Sequence, residues 1–141
     1  MNIKSIKEKL LNLGQKIGLQ VQEEHKDSII LHTALAAEEY FIDTVYCRYL
    51  VYDSGTVHLF LTFSEVEKTS DRLFLINHFN ETSPWFKGYI ACINNKDFFE
   101  LHYSTYKLEN EDSVVDAFGF LLNVLLEENT INHIKAILAC G

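Results

Sequence analysis

The sequence predicts an α+β fold built as one domain over residues 1–141. It is an antiparallel sheet with helices packed on one face, in the order α-β-β-β-β-α-β-β-α(α). Three observations carry this. Apolar residues recur at spacings of three and four near both ends and once mid-chain, which is helical periodicity. Alternating runs rich in aromatic and β-branched residues fill 41–63 and 86–106, which suits strands. Polar turn clusters too short for a parallel crossover separate those runs, so the strands must pair antiparallel. The length is sufficient for such a fold. At 141 residues and 16.3 kDa, about 7,500 Å² would stay exposed of roughly 23,600 Å² in the unfolded chain, so no disulfide or metal staple is needed.

The elements follow in order. In 2–17, Ile3, Ile6, Leu10, Leu13 and Ile17 form an amphipathic helical stripe that ends between Gly14 and Gly18. Leu19 to Glu24 alternates as a short edge strand. His25-Lys26-Asp27-Ser28 reads as a turn, and 28–33 is a second strand, with 34–39 a loop or one helical turn. The richest β segment is 41–52. Asp53-Ser54-Gly55 turns the chain, since Gly takes positive φ freely, and 56–63 returns with Val57, Leu59, Leu61 and Phe63 on one face. Thr69 or Ser70 caps a helix through Leu73, Phe74, Ile76 and Phe79, which Ser83-Pro84 ends because the residue before Pro avoids helical backbone. Strands at 86–93 and 98–106 flank the turn Asn94-Asn95-Lys96-Asp97. Asn110 or Asp112 caps a last helix with Val114, Phe118, Leu121 and Leu125 inward. A helix unbroken from 112 to 139 would be about 42 Å long, against a domain diameter of roughly 37 Å. A break is therefore expected near Glu128-Asn129-Thr130, followed by a short helix bearing Ile131, Ile134, Ile137 and Leu138.

Charge and cysteines exclude several classes. Lys and Arg total 12 against 20 Asp and Glu, a net charge of −8. Nucleic-acid binding needs dense cationic patches, so it is disfavoured. The first 18 residues are locally basic, with Lys4, Lys7, Lys9 and Lys16 against Glu8, which fits a solvated helix face. No apolar run is long enough to span a membrane, and the N-terminus lacks a signal-peptide core, so no membrane association and a cytoplasmic location are expected. Cys47, Cys92 and Cys140 show no CxxC spacing and read as free or buried thiols.

No constellation of catalytic residues stands out. The six His residues form no HxH, HxxxH or HExxH pattern, although His58 and His102 fall mid-strand as potential sheet neighbours, with His32 or a carboxylate as the third group a metal would need. GxSxG, Walker and GxGxxG motifs are absent. Gly88 within a strand marks a bulge or a close backbone approach, and Gly119 mid-helix leaves room for a neighbouring element. Cys92 is expected to be buried between Ala91 and Ile93. Trp85 is expected to be buried too, as a plug at the junction of helix and strand. No catalytic, metal or cofactor residues are assigned and no enzymatic activity is expected. The sharper feature is an aromatic surplus on both faces of the sheet. Helices cover only one, so the other presents Tyr46, Arg48, Leu50, Phe60, Phe98, His102 and Tyr106 as candidate partner-binding residues.

One stretch adds a resemblance. Leu75-Ile76-Asn77-His78-Phe79-Asn80, then Ser83-Pro84-Trp85-Phe86 and Gly88-Tyr89-Ile90-Ala91, followed by a hairpin and a long apolar helix, resembles the YbjN-type bacterial proteins of type III secretion chaperone-like fold. The likeness covers roughly 40–126 and is sharp over 75–104. It implies a small domain, often dimeric, that binds protein and brings no catalytic residues. A protein partner and a homodimer are expected. The outer sheet face and the 131–138 stripe are the two apolar surfaces that a lone monomer would leave wet. Two other readings stay open: a toxin-neutralising immunity protein, for which an acidic surface suits a basic partner, and a small-ligand carrier or enzyme with an aromatic pocket.

Overall fold

The computed structural model describes residues 1–37, 39–41 and 44–140. Its first helix, α1 (Ile3–Leu13), starts where Asn2 accepts a hydrogen bond from the Ser5 N–H at 3.0 Å, satisfying a donor with no partner inside the helix. A single 3-10 turn (Gln15–Ile17) follows, and Gly18 at φ 71° leads into the sheet. The strands are β1 (Gln20–Glu24), β2 (Ser28–Leu35), β3 (Val45–Tyr52), β4 (Val57–Glu65), β5 (Lys87–Ile93) and β6 (Lys96–Thr105). Helix α2 (Ser70–Thr82) stands between β4 and β5, and α3 (Glu111–Leu125) and α4 (Glu128–Ala139) close the chain. The fold is α+β, with one six-stranded antiparallel sheet in the spatial order β1-β2-β3-β4-β6-β5.

Alternation decides which side of the sheet is covered. In β4, Val57, Leu59, Leu61 and Phe63 are buried while His58, Phe60, Thr62 and Ser64 are half-exposed. The same parity buries Ile29 and Leu31 in β2, Val45, Cys47, Tyr49 and Val51 in β3, and Phe99 and Leu101 in β6. All four helices add their apolar stripes to this one cluster. Tyr49 ties the layers at the centre. Its hydroxyl donates to the Val114 carbonyl at 2.7 Å, and its ring lies 4.9 Å from that of Phe118.

The structure adjusts several expected boundaries. β2 continues through Leu35, so residues 34 and 35 are strand and not the loop or helical turn expected there. β3 begins at Val45, and Phe41 instead sits buried in a turn, edge-on to Phe63. The expected positions at Glu38, Ile42 and Asp43 lie outside the described residues. The β5–β6 turn shortens to Asn94-Asn95, both at positive φ (52° and 65°), the geometry that matches the twist of a two-residue hairpin. The break after α3 comes earlier than expected, because the Leu126 and Glu127 N–H groups each bond a carbonyl three residues back at 3.2 Å and so tighten the helix end.

Three burial expectations are corrected. Trp85 is 42% exposed, lying edge-on to Phe120; its neighbour Phe86 points inward and takes the plug position. Cys92 is exposed. It pairs with Asp97 beside the hairpin turn, at the end of the ribbon that runs past the buried cluster. The 131–138 stripe is not a wet apolar surface, since Ile131, Ile134 and Ile137 are all buried in the core and Leu138 packs against it.

Candidate functional site: the open face of the sheet

The uncovered face is organised in rows, because antiparallel register sets side chains of one parity side by side. One row crosses five strands: His32 opposite Arg48, Arg48 opposite Phe60, Phe60 opposite His102, and His102 opposite Lys87. Its members touch. The Arg48 guanidinium carbon sits 5.1 Å from the Phe60 ring centroid, a cation–π distance. Phe60 and His102 stack with centroids 4.4 Å apart and planes within 5°.

The rows on either side complete the site. Toward one end Ala34, Tyr46, Thr62, Glu100 and Tyr89 align. Glu100 is only 4% exposed. One of its oxygens accepts from the Tyr89 hydroxyl at 2.7 Å and the other from the Thr62 hydroxyl at 3.1 Å, so the carboxylate is engaged within the face. Toward the other end Ile30, Leu50, His58 and Ser104 align. His58 Nδ1 lies 3.1 Å from His102 Nε2, and the His32 Nδ1 lies 2.7 Å from the Tyr46 hydroxyl. A hydrogen bond between two imidazole nitrogens requires one to donate and the other to accept, so that bond is lost when both rings are charged.

Electrostatics follows from this crowding. The His102 imidazole is held below its usual value, first by burial and then by the charge of His58, with Glu100 pulling the other way. Burial, and donation to Glu100, hold the Tyr89 hydroxyl protonated well past its ordinary range. The ion pairs among the described residues join Lys7 to Glu24, Lys9 to Glu111 and Asp112, and His25 to Glu23; none involves Arg48.

Of the seven residues expected on this face, Tyr46, Arg48, Leu50, Phe60 and His102 fall within three adjacent rows. Phe98 shares the face but sits at its end, opposite Ala91 and Glu65. Tyr106 is a correction: β6 ends at Thr105 and Lys107 turns the chain at φ 57°, so Tyr106 holds no register position. Sequence reasoning left His32, His58, Thr62, Tyr89 and Glu100 out of the candidate set. Parity alone places them on the face, but their contacts depend on pairings between strands: β4–β6 for His58 with His102 and Thr62 with Glu100, β5–β6 for Tyr89 with Glu100, and β2–β3 for His32 with Tyr46.

The arrangement offers stacking planes, the Arg48 cation at its centre and several hydrogen-bonding groups on strands. No group of three or more side chains able to hold a metal occurs among the described residues, and no helix there is long and apolar enough to cross a membrane. A separate cleft of about 410 Å³ lies between the 3-10 turn, the end of β2 and the end of α3, lined by Ile17, Leu35, Tyr40, Leu122 and Leu126 with Lys16 beside them. The chain matches no protein-family model, no curated protein and no solved structure.

Proposed function

We propose that this chain is a noncatalytic protein-binding module that seats a partner protein on the open face of its sheet. The observation that carries this reading is the contiguous row Arg48, Phe60 and His102, half-exposed and mutually stacked on three neighbouring strands. Arginine and large planar rings are the side chains that anchor protein interfaces, because they bury much area for little lost freedom. Strands hold them in place before the partner arrives, which lowers the entropic cost of binding. The resemblance to YbjN-type proteins of type III secretion chaperone-like fold supports the same role, since secretion chaperones of that fold bind an extended segment of a partner along their sheet and helix surfaces. With the 131–138 stripe buried, the sheet face is the remaining apolar source for the expected homodimer, so a second copy is the competing occupant of this face.

The test is site-specific photocrosslinking in cells. A photoreactive residue placed at Leu50 should capture one predominant protein species, and Arg48→Ala should abolish that adduct. The same probe at Phe74, exposed on α2, serves as the control. Equal, diffuse labelling from both positions would refute the reading, and an adduct of twice the chain mass would identify a second copy as the occupant.

A further inference from the structure

We infer that the segment seated on this face is acidic: an extended peptide of a partner protein whose carboxylate meets Arg48 while an apolar or aromatic side chain covers the Phe60–His102 stack. This rests on the protein-binding reading above and names the chemistry of its partner.

The argument is one of charge complementarity within a small area. Arg48 lies on Phe60 and forms no ion pair among the described residues; the acidic partners of Lys7 and Lys9 lie off this face, and Glu23, opposite Ile30 on the edge strand β1, is paired with His25. A guanidinium laid on a ring keeps its donor edges free, and that planar fork matches a carboxylate in two parallel hydrogen bonds. From β2 to β5, Glu100 is the one carboxylate of the three central rows among the described residues, and its oxygens are not on offer to an incoming cation. It is buried and both its oxygens already accept hydrogen bonds. His32, His58 and His102 surround the cation with further donors rather than acids. So an otherwise acidic chain, at −8 overall, presents here a patch with an unpaired cation.

The same observations weigh against the other occupants. A second copy docked face to face would bring two patches of the same composition together, and the carboxylate of the central rows, Glu100, is buried and already hydrogen-bonded, so it would leave Arg48 without an acid. A nucleic acid would demand several phosphate contacts. Lys87, the other cation of the row, is already spent on the Asn80 and Ser83 carbonyls at 2.7 and 3.0 Å.

Geometry sets the spacing of the recognised residues. Neighbouring strands lie about 4.8 Å apart, and alternate residues of an extended peptide emerge on the same side roughly 6–7 Å apart. An acidic residue over Arg48 therefore puts the side chain two positions along over the Phe60–His102 stack. The recognised pattern is an Asp or Glu and an apolar residue separated by one residue.

The experiment selects random linear peptides displayed on phage against the full chain, then measures the winners as synthetic peptides by fluorescence anisotropy. The expected winners carry that acidic–x–apolar pattern. Replacing their acid by the matching amide should weaken binding about ten- to hundredfold, the range for losing a hydrogen bond to a charged group. Arg48→Gln should cost about the same, and Arg48→Glu should reverse the preference toward Lys-bearing peptides. Circular dichroism and thermal melting of both variants check that the fold is intact. Winners that need Phe60 but neither an acid nor Arg48 would overturn this inference while leaving the protein-binding reading standing. Peptides indifferent to both Phe60 and Arg48, or no enrichment at all, would overturn both. Binding of a single-stranded oligonucleotide that Arg48→Gln abolishes would replace the acidic peptide with nucleic acid.

Discussion

Asn80 pairs with Gly88 as a neighbouring strand would. Its side-chain Nδ2 donates to the Gly88 carbonyl at 2.8 Å, and its Oδ1 accepts from the Gly88 N–H at 2.6 Å. One residue of α2 thus occupies both hydrogen-bonding groups of a position on the sheet's edge, which would otherwise invite another chain. Gly88 keeps this approach uncrowded, because a Cβ there would lie 3.0 Å from the Phe99 ring. Asn80→Leu leaves both backbone groups without that partner in a half-buried setting and is expected to destabilise the fold by about 2 kcal/mol. Gly88→Ala should cost about 1–3 kcal/mol through overpacking. Urea unfolding measures both, and an Asn80→Leu midpoint equal to the parent's would show that the pairing holds nothing together.

Arg72 is the second device that locks the helices. It is only 4% exposed, and its guanidinium donates to three carbonyls: Nε to Ile137 at 2.9 Å, Nη2 to Leu138 at 3.4 Å, and Nη1 to Glu67. Two of those carbonyls belong to the last turn of α4, where helix carbonyls lack internal partners and the helix dipole is negative. Arg72→Met removes the donors while keeping much of the bulk, and is expected to cost about 2–4 kcal/mol, within the range for stranding buried acceptors of a charged donor. Arg72→Lys should recover part of the loss, since it restores charge without the fork. Denaturation that separates α4 from the rest, read by amide exchange, should show α4 opening first in Arg72→Met. Uniform protection across α4 in that variant would contradict the capping role.

These two residues show where the sequence is readable. The period-two alternation of Val57, Leu59, Leu61 and Phe63 is unambiguous, because one covered face forces a single parity along the strand. The caps Thr69 and Asn110, each one of two positions the sequence offers, are legible for a similarly local reason. Arg72 is not, because a charged residue is almost never buried without partners, and its partners lie 65 and 66 positions away. Its one local signal is that it shares the stripe of Ile76 and Phe79. Trp85 and Cys92 fail for another reason. Their side chains are apolar, but burial depends on where the helices stop, and no periodicity encodes that. On the open face, parity identifies the residues. Their grouping into rows depends on β6 sitting between β4 and β5, a pairing between distant segments.

The three cysteines should react in a fixed order. Burial pushes the Cys47 thiol up to about 12, so it holds almost no thiolate at neutral pH. Cys92 is exposed and Cys140 is half-exposed. With iodoacetamide at pH 8, peptide mass spectrometry is expected to find Cys92 alkylated first, Cys140 next, and Cys47 only at the rate of opening of the sheet. Cys47 modified as fast as Cys92 would mean that the β2–β3–β4 core is far looser than its burial implies.

Stability should fall between neutral and mildly acidic pH, and His102 is the residue that makes it fall. In the folded chain its imidazole is held below the ordinary value of 6.5, chiefly by burial and next by His58, against an opposing pull from Glu100. The unfolded chain therefore binds the proton more readily. Stability is then greatest above about 6.5 and declines as pH drops through that value toward the lower folded one, with no further loss beneath it. The other shifted surface groups do not act in this window. Glu111 is held below 4.5, first by the Ser5 hydroxyl, so its contribution persists until the pH falls toward its lowered value. Lys9 is raised above 10.5 by Asp112 and Glu111, so its contribution holds throughout. Arg48, across Phe60, keeps one charge over this whole range. His102→Gln removes the titrating group while keeping a side chain that can bond His58. Melting temperatures taken at pH 7.5 and pH 5.5 should drop more in the parent than in His102→Gln. Equal drops would place the acid sensitivity elsewhere and would mean that the ring stacked on Phe60 is as free to take up a proton as one in water.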